Sequence, residues 1–104
     1  MTMKPYTRKD LEFQRHAYAT AKARTFVKES VETIYFEAIQ TAVQRSCREF
    51  YHTISNVLDD KYNNIDDLAI RIRDELVVLF PDFTIEIGNI NDDCNPTRYI
   101  CVKW

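Results

Sequence analysis

No glycine or proline lies between Tyr6 and Phe80, so most of this 104-residue chain has no strong helix breaker. The whole sequence holds one glycine, Gly88, and three prolines, Pro5, Pro81 and Pro96. Thr7 followed by Asp10 has the form of a capping box. The segment from Thr7 to about Leu58 therefore reads as helix, either one long helix or two with a joint near Ala23–Thr25. Within it an apolar row runs Val31, Tyr35, Ile39, Val43, Cys47, Tyr51 in steps of four. A parallel row runs Ile34, Ala38, Ala42, Phe50, Ile54, Leu58. Four residues turn a helix by about 400°, so each step carries the row about 40° around the axis. Such a drift does not suit a simple left-handed zipper. It predicts a helix whose two ends bury different faces.

The remainder changes character at Asp59, Asp60, Asn63 and Asn64, which mark a loop, with Asn64 or Asp66 placed to cap a second helix. That helix is expected over about Asp66–Phe80, stopped by Pro81. Ile65, Leu68, Ile72, Leu76 and Leu79 form its core stripe, and Ile70, Val77 and Val78 widen it, which predicts cover on more than one side. Beyond Pro81 the period becomes two. Phe83, Ile85 and Ile87 alternate with polar residues, as do Ile100, Val102 and Trp104 with Tyr99, Cys101 and Lys103. The pair predicts an antiparallel hairpin over residues 83–104 whose inward face, Trp104 included, rests on Leu68, Ile72 and Leu76. The expected architecture is one α+β domain over residues 1–104, mainly α.

Composition narrows the functions. An apolar fraction of 45% with 12% aromatics supports a packed core, and a net charge of −2 gives no general attraction to nucleic acid or anionic lipid. The charge is segregated, however. Residues 1–28 carry Lys4, Arg8, Lys9, Arg15, Lys22, Arg24 and Lys28 against Asp10 and Glu12, whereas residues 59–104 are acidic. Met1–Arg15 has no apolar run of signal-peptide length, and no segment has the length and apolarity of a membrane span. With three cysteines, Cys47, Cys94 and Cys101, in no disulfide pattern, the expectation is a cytoplasmic protein with reduced thiols.

No catalytic or cofactor motif stands out. A single glycine excludes a recognisable phosphate loop or dinucleotide fingerprint. Cys47 and His52 are five apart, a spacing that points them apart on a helix; Cys47 reads as a core thiol and His52 as a surface residue near Glu49. Cys94 and Cys101 have no second ligand pair for zinc. The loop Asn89 to Asn95 sets oxygen side chains at alternate positions but lacks the turn glycine and closing glutamate of a calcium loop, so it reads as turn chemistry. The adjacent pairs Asp59/Asp60, Asp66/Asp67 and Asp92/Asp93 read as loop and helix-start residues. No metal or cofactor is expected.

The stretch Leu79-Phe-Pro-Asp-Phe83, then Thr84-Ile-Glu-Ile87 and a closing Tyr99-Ile-Cys-Val-Lys-Trp104, resembles small uncharacterised proteins of large DNA viruses and tailed phages. The resemblance covers about residues 66–104, is a pattern and not a catalytic motif, and implies a viral structural or accessory component without assigning any functional residue. The expected function is a non-enzymatic structural or protein-interaction module that oligomerises through its long helix, as a dimer first, with other viral proteins as further partners. Val31, Tyr35, Ile39, Phe50, Tyr51 and Ile54 are the candidate interaction surface. The alternative is a nucleic-acid-binding module whose basic N-terminal helix offers Arg8, Arg15 and Lys22, seven apart on one face, to phosphates or an acidic partner. Few such contacts and the acidic second half make that binding weak.

Overall fold

The computed structural model describes residues 3–55, 64–90 and 97–104. Its elements run α1 (Arg8–Gln44), β1 (Glu49–Ser55), α2 (Ile65–Leu79), β2 (Thr84–Ile90) and β3 (Thr97–Lys103). The fold is α+β and mainly α, with an antiparallel sheet in place of a bare hairpin: the strand order is β1-β3-β2.

Helix α1 is continuous over 37 residues, with no joint at Ala23–Thr25. Its start is set by the capping box: the Asp10 amide donates to Thr7 Oγ1 at 3.2 Å and the Thr7 amide donates to Asp10 Oδ2 at 2.9 Å. The Thr7 amide and hydroxyl, both donating to Asp10 Oδ2, hold its carboxyl below its ordinary pKa. Ala23, Val27, Val31, Ile34 and Ala38 face the core. The row Val31, Tyr35, Ile39, Val43 leaves it as the drift requires: Val31 is 6% exposed, Ile39 37% and Val43 79%. The far end of this row finds no second covering face.

The expected helix over residues 45–58 is corrected. Arg45 turns extended (φ −121°, ψ 150°) while its amide still donates to the Thr41 carbonyl at 2.9 Å, and the chain re-enters as β1. Phe50, His52 and Ile54 point inward in that strand, and Tyr51 and Thr53 outward. Residues four apart share a side in a helix and in a strand alike, so the step-of-four row could not separate the two. The aromatic and β-branched content of Phe50–Ile54 favours the strand. Leu58, Asp59, Asp60 and Asn63 lie outside the described residues.

Helix α2 begins at Asn64, whose Oδ1 accepts from the Asp66 amide at 2.7 Å, and ends before Pro81. Ile65, Leu68, Ile72 and Leu76 are buried. Ile70, Val77 and Val78 are exposed, so the second covering layer expected for this helix is absent among the described residues. Arg98 Nε of β3 pairs with Asp66 Oδ1 at 2.6 Å and ties the sheet to the start of α2.

Strand β3 pairs antiparallel with both neighbours, Phe50 and Ile85 flanking Val102, and His52 and Ile87 flanking Ile100. Ile100 and Val102 are fully buried against the helices. Among the described residues no helix covers the opposite sheet face. There Tyr99 lies across Gly88, where any Cβ would collide with the end of its ring. Gly88 has no positive φ, so the glycine serves space and not backbone conformation.

An aromatic row binds the two layers. Tyr35 stacks on Phe80 with centroids 5.3 Å apart, Phe80 on Phe83 at 4.9 Å, and Phe83 meets Trp104 at 6.1 Å. Trp104 is half-buried against the core. Its indole Nε1 donates to the Cys47 carbonyl and its amide to the Arg48 carbonyl, each at 3.0 Å. The ring therefore closes the turn between α1 and β1.

Two stability outcomes follow. Trp104→Ala removes a half-buried ring and a hydrogen bond and should cost about 2 kcal/mol, below the range for a fully buried aromatic. In a domain of this size that lowers Tm by roughly 10 °C. Lys103→Ala breaks only an exposed 3.1 Å pair with Glu86 and should leave Tm close to the wild-type value. Differential scanning calorimetry distinguishes them; equal Tm losses would contradict the packing. His52, half-buried on the inner sheet face, has its pKa lowered below 6.5 by burial, opposed by Glu37. The folded state thus prefers neutral imidazole and the unfolded chain binds the proton more tightly. Stability from this group is full above pH 6.5 and declines as pH falls below it. Tm should fall on acidification through that window in the wild type, and His52→Gln should flatten the slope.

Candidate interaction surface

Of the residues expected to form the interaction surface, Val31 and Ile54 are buried in the core, and Phe50 packs against it from the inner sheet face. Tyr35 is half-buried beneath Phe80. Ile39 is partly exposed on α1, and Tyr51 is exposed on the open sheet face, on a different element. The six do not form one surface. The misplacement follows from reading β1 as helix, which put strand residues onto the α1 stripe.

What the structure exposes instead is the outer side of α1. Leu11, Tyr18, Phe36, Ile39 and Val43 are exposed there, on the side away from Ala23, Val27 and Ile34, and Phe36 also borders Leu79 of α2. Tyr18, Ala21, Lys22, Thr25, Phe26 and Glu29 line a shallow groove of about 420 Å³ on this side. A second depression of about 260 Å³ is bounded by Val31, Glu32, Tyr35, Phe36 and Leu79. Arg8, Arg15 and Lys22 are exposed on α1, as their spacing implied. Arg15 lies 3.7 Å from Glu12. Ile39 and Val43 belong to the step-of-four row and Ile39 was expected at the surface; Leu11, Tyr18 and Phe36 lie outside that row and so escaped the sequence reading.

A cleft of about 500 Å³ opens between the end of α1 and β1, lined by Glu37, Gln40, Thr41, Gln44, Arg45, Cys47, Glu49, Phe50 and Tyr51. Its polar groups do not assemble a nucleophile with a base. The Tyr51 phenol is pushed up to about 12, first by the Glu49 carboxylate beside it, so it stays protonated at neutral pH. One thiol expectation is corrected. Cys47 is exposed in the turn after α1, not in the core, and Cys101, on the outer face of β3, is buried. Burial pushes the Cys101 thiol up, which keeps it from acting as a thiolate. His52 faces inward and not toward solvent near Glu49, because β1 alternates its side chains. Both described cysteines are free. Among the described residues no three His, Cys, Asp or Glu side chains gather to hold a metal ion. Cys94, Asp92/Asp93 and most of the loop Asn89 to Asn95 lie outside the described residues. Among the described residues no helix is long and apolar enough to cross a membrane.

Compared with known proteins, the chain matches no family model, no curated protein and no solved structure.

Thiol accessibility is directly measurable. Brief treatment of the native protein with a maleimide should modify Cys47 and leave Cys101 unmodified until denaturant is added, as read by peptide mass mapping. Modification of Cys101 at the rate of Cys47 in native protein would contradict the packing of the sheet.

Proposed function

We propose that this chain is a non-enzymatic structural or protein-interaction module that associates with itself, as a dimer, through its long helix. The observation that carries the reading is the outer side of α1, which presents Tyr18 and Phe36 at 71% and 67% exposure along a helix of 37 residues. At 1.5 Å per residue that helix is about 55 Å long, beside an α2 of 15 residues that packs on its opposite side. Large rings held in water along one side of a rigid rod are what a partner surface supplies, and a small domain gains stability by covering them.

The resemblance of residues 66–104 to small proteins of large DNA viruses and tailed phages extends the proposal to a viral structural or accessory component, working in the cytoplasm or the virion, with other viral proteins as further partners. Binding to nucleic acid ranks below this. Glu12 pairs with Arg15 within the row of Arg8, Arg15 and Lys22, and the acidic remainder of the chain opposes a polyanion.

Light scattering coupled to size exclusion tests the reading. At tens of micromolar the expected mass is twice that of the 12.3 kDa chain. A monomer under those conditions would overturn self-association.

A further inference from the structure

Charge and apolarity along the outer side of α1 are arranged for one partner in one orientation. Alternating steps of four and three carry a single row from Leu11 through Tyr18 and Lys22 to Glu32, Phe36 and Val43. The mean step is that of a coiled-coil seam, and the row lies on the side of the helix opposite Ala23, Val27, Ile34 and Ala38, which are buried. The basic residues of α1, Arg8, Lys9, Arg15, Lys22, Arg24 and Lys28, all precede Glu29; from there to Gln44 the helix carries Glu29, Glu32 and Glu37 and no Lys or Arg.

Resting on the self-association proposed above, we infer that two copies pair through this row with their α1 helices antiparallel, Tyr18 of each against Phe36 of the other. That register is self-consistent along the helix. It sets Leu11 against the partner's Val43, Arg15 beside the partner's Ile39, and Lys22 against the partner's Glu32. Every contact occurs twice about the two-fold axis, as a closed dimer requires. Only Arg8 and Lys9 fall beyond the overlap, so almost the whole of α1 is used. The groove lined by Tyr18, Lys22 and Thr25 is where the partner's Phe36 side chain seats. A parallel pairing in register would instead put Lys22 against Lys22 and Glu32 against Glu32. The helix dipoles also favour the antiparallel arrangement. The buried residues of α1 lie on its other side, and α2 borders this side at Leu79, which bounds a depression with Glu32 and Phe36.

Four point variants of the full chain, with one double variant, test the register by sedimentation equilibrium at low salt. Tyr18→Ala and Phe36→Ala should each weaken the dimer about a hundredfold, since each removes a central anchor twice. Lys22→Glu and Glu32→Lys should each weaken it about tenfold by turning two attractions into repulsions. The double variant, Lys22→Glu with Glu32→Lys, should restore the wild-type affinity to within about threefold and lose that restoration at high salt. All of these side chains are exposed, so the circular dichroism spectrum should stay that of the wild type, showing that each variant still folds. A wild-type dimer indifferent to all four single variants would overturn this interface while leaving self-association intact. Single variants that weaken the dimer without rescue in the double variant would overturn the antiparallel register. A monomeric wild type would overturn both readings.

Discussion

Phe80 is the point on which the two layers of this molecule depend. It sits where α2 ends and is held against Pro81, with Tyr35 of α1 on one face and Phe83 on the other. Phe83 passes the contact to Trp104, and the indole returns it to the turn after α1 through the Cys47 carbonyl. Four rings thereby connect both helices, the approach to β2, the end of β3 and the start of β1. Each stacked pair adds about 0.5–1.5 kcal/mol beyond the area it buries. Their larger effect is geometric: with these rings in place, the sheet has one height and one angle over the helices.

The second helix and the hairpin strands were legible because their signals do not overlap with alternatives. Asn64 caps, Pro81 stops, and Ile85, Ile87, Ile100 and Val102 alternate in steps of two. The first strand was hidden. Phe50 and Ile54 continue a step-of-four row that began on a genuine helix, and nothing in Arg45–Arg48 is a glycine or proline to announce the break. Third-strand pairing with β3, which lies far along the chain, decides the matter there, and no local pattern reports it. The same error displaced Cys47 from surface to core and His52 from the inner face to the outer. Most of the outer side of α1 was hidden for another reason: Tyr18 and Phe36 lie outside the step-of-four row, and only the burial of Ala23, Val27 and Ile34 shows which side of the helix is exposed.

Helix α1 thus carries two periodicities on one cylinder. The core stripe is short and made of small and branched residues, while the outer row is longer, mixed with charge, and spans nearly the full helix. A stripe rich in alanine, with Ala19, Ala23 and Ala38 all buried, lets the inner side lie close without large side chains. Tyr18 and Phe36 are left to the outer side, while Phe26 and Tyr35 flank the core stripe and pack against it.

The strand order has a consequence for how the chain acquires its shape. The middle strand, β3, is the last of the three in sequence. Both helices can form from local contacts as soon as their residues exist, but β1 and β2 are not neighbours and have no hydrogen-bonding partner in the sheet until β3 arrives between them. Folding of the sheet is therefore a late, non-local event, slow relative to the helices. Until it happens, Phe50–Ile54 and Ile85–Ile87 are two unsatisfied edges of the kind that recruit strands from other molecules. The most vulnerable moment for this protein comes before its last strand closes the gap.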